Sequence, residues 1–283
     1  MTRTLLVIGA SGQLGQCVAR GAVGQGWRVV GTFHRAPLET LPIDWRELDL
    51  TDVRMVEALI ADIPPDAVVN AALQMTQPWI WPVNAGGAAA VALATARIGA
   101  RLIHISSDAI FDGEQSPYTE ADDPSPITVY GGSKAAAETA VRAIMPAAAV
   151  IRTSLLIADD PLDKHSRMAL DIAQGLRPEK LFTDEFRCPI AAIDLAAAIL
   201  ELIDLPVTGI LNVVGADAVS RYELGQLVTR RHGLDPNALL PATLAASGLH
   251  RPADIRLDIS RATALLKTRL RGVREFLGDN GTF

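Results

Sequence analysis

The sequence predicts an α/β fold, a doubly wound parallel sheet with helices on both faces, followed by a smaller C-terminal lobe. Three observations predict it. Short, continuously apolar runs such as Leu5-Leu6-Val7-Ile8 and Ala67-Val68-Val69 alternate with Ala-rich stretches of helical length. That is the pattern of strands covered on both faces and joined by right-handed crossovers. A glycine-rich turn follows the first run directly, and late in the chain the periodicity loosens while Pro and Arg become more frequent.

In chain order, Leu5–Ile8, Arg28–Val30, a strand just before Leu48, Ala67–Val69, Leu102–Ile105, Ala149–Ile151 and Ile210–Val214 read as strands. Gln13–Gly24, Val53–Ala61, Ala85–Ile98, Val129–Ile144 and Ile193–Ile203 read as the helices between them. Arg221–His232 reads as a helix of the later lobe, opened by the capping box Ser220-Arg-Tyr-Glu223. The expected division is a sheet domain over 1–155, to which 190–214 returns, and a substrate lobe over 156–189 and 215–283.

Composition narrows the function. Of 283 residues, 49% are hydrophobic and 20% charged, enough apolar content for a buried core. Twenty-six Lys and Arg against 32 Asp and Glu leave −6, which argues against a general grip on nucleic acid or an anionic membrane. Cys17 and Cys188 cannot build a disulfide framework and fit a reducing cytoplasm. The N-terminal apolar run is too short for a signal peptide, and Arg97, Arg101, Asp194 and Glu201 interrupt every Ala-rich candidate for a membrane helix. Five histidines show no metal-ligand spacing, so no metal is expected.

Gly9-Ala-Ser-Gly12-Gln-Leu-Gly15 sits between a strand and a helix, the context a Rossmann-type dinucleotide site requires. Gly9 permits the tight turn, Gly12 lets a pyrophosphate approach the backbone, and Gly15 lets the helix pack closely. Ser11, Gln13 and Leu14 complete the loop and the helix N-terminus, whose free N–H groups attract phosphate. The second strand ends Val30-Gly-Thr-Phe-His-Arg35, with an arginine and no carboxylate. Arg35, with Thr32 beside it, therefore favours the 2′-phosphate of NADP, and NAD stays open. Asp49, followed by Leu50, either accepts from the adenine amino group or caps the next helix.

Tyr130-Gly-Gly-Ser-Lys134 puts a phenol and an ammonium on one face of a helix start. An ordinary phenol, with a pKa near ~10, is a poor proton carrier at neutral pH, and a neighbouring ammonium favours the phenolate. Ser106-Ser107-Asp108 ends a strand at the carboxyl edge of the sheet, where open α/β proteins bind ligands. A serine there can hold a carbonyl oxygen beside the tyrosine.

These segments, with Pro65-Asp-Ala-Val-Val-Asn-Ala-Ala72, Ile105–Gly113 and Tyr118–Pro124, resemble the extended short-chain dehydrogenases/reductases. Within them they resemble the dTDP-4-dehydrorhamnose reductase-like sugar-nucleotide reductases. The resemblance implies Ser107 as the catalytic hydroxyl, Tyr130 as the proton donor and Lys134 as its activator and a ribose ligand, with Ala71 and Ala72 beside the cofactor. It implies a nucleotide-linked sugar as substrate and is compatible with a homodimer. The chain departs from the family at Ala109, where the reductases usually carry tyrosine, and over Leu73–Pro82, so the acid–base chemistry carries over better than the substrate does.

Asp108, Trp79, Arg187 and Arg251 are the candidate substrate residues. Trp79 or Trp81 could stack on a base, and Arg152, Arg187 or Arg251 could bind a diphosphate through a planar guanidinium. An epimerase or dehydratase that recycles its cofactor and a non-catalytic NADP-binding regulatory subunit are the alternatives.

Overall fold

The computed structural model describes residues 2–278. Seven strands form one parallel sheet: β1 (Thr4–Ile8), β2 (Arg28–Phe33), β3 (Asp44–Glu47), β4 (Ala67–Asn70), β5 (Arg101–Ile105), β6 (Ala149–Arg152) and β7 (Gly209–Asn212), in the order β7-β6-β5-β4-β1-β2-β3. Helices α1 (Gln13–Gly24), α2 (Val53–Asp62), α3 (Ala88–Ile98), α4 (Val129–Ile144) and α6 (Ala192–Asp204) cover it, while α5 (Lys164–Ala173) and α7 (Arg221–Arg231) belong to the remainder of the chain. The direction in which successive strands are added reverses between β1 and β4, and such a switch point opens a crevice at the carboxyl ends of the strands.

The pleat explains the continuous apolar runs. Leu5 and Val7 of β1 face one way, against Leu14, Val18 and Ala22 of α1 and Leu195 and Ile199 of α6. Leu6 and Ile8 face the other way, against Val56 and Ile60 of α2, Val91 of α3 and Val141 of α4. With both faces buried, every residue of the strand must be apolar, and all five in β1 are inaccessible apart from Thr4 at its start.

Two departures are local. The helix expected from Ala85 begins as a single π turn, Pro82–Gly87, and becomes α-helical at Ala88. The capping box at Ser220 forms only by half. Ser220 Oγ accepts from the Glu223 amide at 3.0 Å, but the Glu223 carboxylate pairs instead with Arg274 at 2.7 Å.

Beyond the sheet, α5 and α7 pack over Ile157, Ala191, Val219, Val273 and Phe276. Three two-stranded ladders join Leu156–Ile157 to Ile190–Ala191, Phe186–Arg187 to Val219–Ser220, and Leu181–Phe182 to Pro241–Ala242. Ala262, Leu266 and Leu270, in and after the short helix Ser260–Leu265, pack in the α1–α6 layer.

Candidate active site

The glycine turn has the shape a dinucleotide needs. Gly9 has φ +80°, and a Cβ there would strike Ala72 at 2.8 Å, so the ends of β1 and β4 approach as only glycine allows. A Cβ at Gly15 would lie 2.1 Å from the Gly9 carbonyl oxygen, so this glycine brings the helix onto the turn itself. Gly12 is the N-cap of α1 and has no side-chain cap, which leaves the first-turn amides of Gln13, Leu14 and Gly15 without a partner inside the helix. These amides fit the pyrophosphate of a dinucleotide. Gln13 also reaches across the turn, donating from Nε2 to the Pro161 carbonyl at 3.3 Å, and Ser11 donates its amide to Thr32 O at 3.4 Å.

The adenosine side differs from expectation in three ways. Thr32 is buried and its hydroxyl accepts from the Gly9 amide at 3.0 Å, so it braces the turn and is not free for a 2′-phosphate. Arg35 stands exposed just past β2, but the parallel register sets Glu47 of β3 beside Phe33, a carboxylate that strand two alone did not reveal. Asp49 does not cap α2. Asp52 does, accepting from the Arg54 and Met55 amides, while Asp49 holds the Thr51 amide and hydroxyl at 2.8 Å each, bonds that keep its carboxyl below the usual range. Leu50 is buried against Gly87 of the π turn, where a Cβ would meet it at 2.8 Å. The Ala71 amide bonds the end of β1 at Ile8 O (3.0 Å), and that of Ala72 bonds Asn70 Oδ1 (3.3 Å).

Ser107, Tyr130 and Lys134 converge at the carboxyl ends of β5 and β6. Ser107 caps a short 3-10 turn, Asp108–Ile110, by accepting from the Ala109 amide at 3.2 Å. Thr128 caps α4 and starts it so that Tyr130 falls in its first turn, facing Ser107. Gly131 makes this approach possible, because a Cβ there would lie 2.0 Å from the Ala109 carbonyl oxygen.

The electrostatics correct one expectation. Burial pushes the Tyr130 phenol up to about 12, hydrogen bonding with Ser107 draws it back in part, and the Asp108 charge raises it further. Lys134 is itself shifted. Its Nζ is buried and donates to the Ile105 carbonyl at 2.6 Å, and burial pulls it down to about 8 against the opposing pull of Glu138. The phenol therefore rests in its protonated form, the form a proton donor needs.

Four further groups, none singled out by the sequence, complete the surroundings. Asn84, on the π turn, is buried and bonds Gln74 through both its amide and its carbonyl (2.7 and 2.9 Å) and Ser133 at 2.9 Å, tying the Leu73–Trp81 loop to α4. Ser154 Oγ donates to Asp108 Oδ2 at 2.5 Å. Arg221, at the start of α7, donates to Nδ1 of His165, whose imidazole is pushed down to about 2 by burial and by Arg221, Lys164 and Arg251 around it. No spacing or composition marks these residues, because they come from elements far apart in sequence.

The substrate arginines separate. Arg152 is fully buried, bonded to both oxygens of Glu138, and its guanidinium lies 5.0 Å from the Phe111 ring centre. Arg187 is buried and spends its donors on the carbonyls of Phe186, Ala253 and Pro252, with Asp108 at 4.0 Å. Both are therefore structural, and neither is free to bind a diphosphate. Arg251 stays 45% exposed and lines a cavity of about 530 Å³ with Arg221, Glu185, Phe182 and Met168. Trp79 is 52% exposed on its loop, whereas Trp81 stands beside Gly132 of α4, two residues from Tyr130.

A doubly wound sheet whose switch point carries an uncapped helix, with a serine, a phenol and a buried lysine beside it, defines an oxidoreductase. The family follows from comparison: a family described as the RmlD substrate binding domain matches residues 3–280, and the chain belongs to it. It is 33% identical over 254 residues to a dTDP-4-dehydrorhamnose reductase of Mycobacterium tuberculosis, covering 85% of this chain and 79% of that protein. It is also 30% identical over 281 residues to the methionine adenosyltransferase 2 subunit beta of Rattus norvegicus, covering 93% of this chain and 83% of that one. A dTDP-4-dehydrorhamnose reductase of Bacillus anthracis, solved in complex with NADP, shares the fold with a TM-score of 0.82 over 98% of both chains at 22% identity.

Proposed function

We propose that the chain is a reductase of the short-chain dehydrogenase/reductase type, using NADPH to reduce a keto group on a nucleotide-linked sugar. The observation that carries this reading is the protonated Tyr130 phenol beside Ser107, at the mouth of a cleft whose α1 N-terminus is built for a pyrophosphate. When bound, the reduced nicotinamide supplies a hydride. Ser107 positions the carbonyl oxygen and Tyr130 donates its proton to it. Lys134 holds a positive charge beneath the site and is placed to meet a ribose hydroxyl.

Arg221, Lys164 and Arg251 crowd positive charge around a neutral His165, which supports an anionic substrate such as a sugar-linked diphosphate. The cavity that Arg221 and Arg251 border is large enough for a nucleoside. Among the described residues no helix is long and apolar enough to cross a membrane. The free Cys17 and Cys188 support a cytoplasmic setting, and the exposed Leu93 and Ile98 of α3 support a homodimer.

The test is NADPH oxidation monitored with a panel of nucleotide-linked 4-keto sugars. Steady oxidation with at least one of them is expected. The likeness to a subunit of another enzyme favours one second reading, a cofactor-binding subunit without turnover. Tight NADPH binding with no oxidation across the panel would decide for it. Cofactor choice is a separate expectation: NADPH binds more tightly than NADH, and Arg35→Ala narrows the gap by roughly 1–3 kcal/mol, as for a charge-assisted contact. Equal affinities in the unaltered protein would remove Arg35 from the site.

A further inference from the structure

We propose that Asp108 and Ser154 form a proton path that resupplies Tyr130 through Ser107 after each reduction. The proposal rests on the reductase reading and gives Ser154, and Asp108 beyond its candidate contact with substrate, a part in proton supply. Asp108 is buried, at 4% exposure, directly behind the catalytic hydroxyl. Its Oδ1 accepts from Ser107 Oγ at 3.3 Å and its Oδ2 from Ser154 Oγ at 2.5 Å, while its amide is fixed to the Thr153 carbonyl at 2.8 Å. Ser107 faces the Tyr130 phenol, and Ser154 at the other end is partly exposed. Hydroxyl, carboxyl and hydroxyl thus run unbroken from the reacting phenol towards solvent.

A carboxylate kept only to balance charge would be expected to lie against its cation. Arg187 turns its Nε toward Asp108 Oδ2 but at 4.0 Å, with its terminal nitrogens on backbone carbonyls and near Glu185 (3.4 Å), so the side chains nearer to Asp108 are the two proton-carrying hydroxyls. Arg221, Cys188 and the Tyr130 phenol are the other titratable or charged groups facing it. Burial raises the Asp108 carboxyl above its ordinary range despite Arg187 and both serines, which eases its protonation.

The step balances. The hydride forms the new C–H bond, and the carbonyl π pair takes the Tyr130 proton, leaving a phenolate. With Asp108 protonated through Ser154, the Ser107 hydroxyl turns from Asp108 Oδ1 to the phenolate and gives it its proton, and Ser107 Oγ then takes the proton of the Asp108 carboxyl. Water, through Ser154, returns a proton to Asp108, so the net proton comes from solvent.

Asp108→Asn keeps the size of the side chain and removes the exchangeable carboxyl proton, and Ser154→Ala cuts the solvent end. Both are to be compared with the unaltered enzyme in rapid single-turnover and in steady-state NADPH oxidation. In Asp108→Asn the first turnover, which uses the proton already on Tyr130, loses less than steady-state turnover does. Steady-state turnover falls about ten-fold or more and acquires a larger solvent isotope effect, within the range of a lost proton-transfer group. Ser154→Ala shows the same split more weakly. Equal losses in both regimes would mean damage to the fold of the site and would overturn the proposal, as would normal steady-state turnover in Asp108→Asn.

A second readout needs no turnover: carbon-13 NMR titration of the aspartate carboxyls, with Asp108→Asn identifying the resonance. Asp108 should titrate above an ordinary aspartate and shift in Ser154→Ala. An Asp108 that titrates no higher than an ordinary aspartate would overturn the path even if the enzyme proved to reduce something else. No oxidation by the unaltered enzyme would overturn the reductase reading instead, and the titration would still decide whether Asp108 exchanges its proton.

Discussion

Tyr130 behaves differently from the tyrosine that its spacing to Lys134 leads one to expect. The lysine four residues on is buried, bonded to Ile105 and set beneath the site, so burial governs the phenol and raises it to about 12. If Tyr130 is the proton donor, Tyr130→Phe lowers turnover by ~10²–10⁴-fold, the usual contribution of a positioned acid. Isothermal titration should show its NADPH affinity nearly unchanged, because the pyrophosphate is held at α1. Near-normal turnover would remove the assignment. Lys134, drawn down to about 8, loses its charge in mildly alkaline solution. NADPH affinity is therefore expected to fall as pH rises through about 8, and a Lys134→Met variant should lack that limb. The stability effect has the opposite sign. The folded value lies below the unfolded one of 10.5, so the cost of the buried charge is fully present below about pH 8 and is relieved as pH rises towards 10.5.

At the scale of elements, what matters is how closely α4 approaches the turn after β5. The pattern Tyr-Gly-Gly-Ser-Lys reads as phenol and ammonium, yet its first glycine sets the geometry. Gly131 is where the helix meets Ala109 O, with no room for a methyl group. Gly131→Ala is expected to push Tyr130 away from Ser107 and to cost roughly 1–3 kcal/mol of stability, as overpacking does. Turnover should fall more steeply than a denaturation curve alone would account for. A variant with full activity would show that the two elements yield more easily than their separation implies. The π turn before α3 acts similarly: it carries buried Asn84, which anchors the Leu73–Trp81 loop. Periodicity extended α3 back to Ala85 because a π turn changes the backbone bonding without changing the apolar pattern.

For the whole molecule, the site is a cleft between the sheet and the segments packed over its carboxyl ends. The segment from Phe111 to Asp122 ties these parts together. Tyr118 stacks on Phe111 at 4.0 Å, its hydroxyl accepts from the Gly113, Glu114 and Gln115 amides and donates to Asp112, and its own backbone carbonyl accepts from Asn212 at the end of β7. Arg152 bonds the same segment from β6, at Thr119 O and Asp122 O. Arg251, bonded to Glu185 Oε1 at 3.4 Å yet 45% exposed, is the most accessible of the three candidate arginines for meeting an anion. Arg251→Ala is expected to raise KM about ten-fold with kcat little changed, the signature of a contact equal in ground and transition states. An unchanged KM for the active sugar nucleotide would exclude it.

Residue type and spacing along the chain determined much of this protein: the parallel sheet from runs that must be apolar on both faces, the glycine turn of Gly9, Gly12 and Gly15 between strand and helix, and the placing of Ser106-Ser107 at a strand end and of Tyr130 and Lys134 at a helix start, to which only the family resemblance gave roles. Each is a local property, so the sequence carries it directly. Tertiary structure alone decided which charges are free. Arg152 and Arg187 look like Arg251 in sequence, and only packing shows that Glu138 and three backbone carbonyls already hold them. It also decided the direction of the Tyr130 and Lys134 shifts and joined Asp108 to Ser154 across 46 residues. Burial and hydrogen-bond partners arise from elements remote along the chain, and a charge's behaviour depends on both.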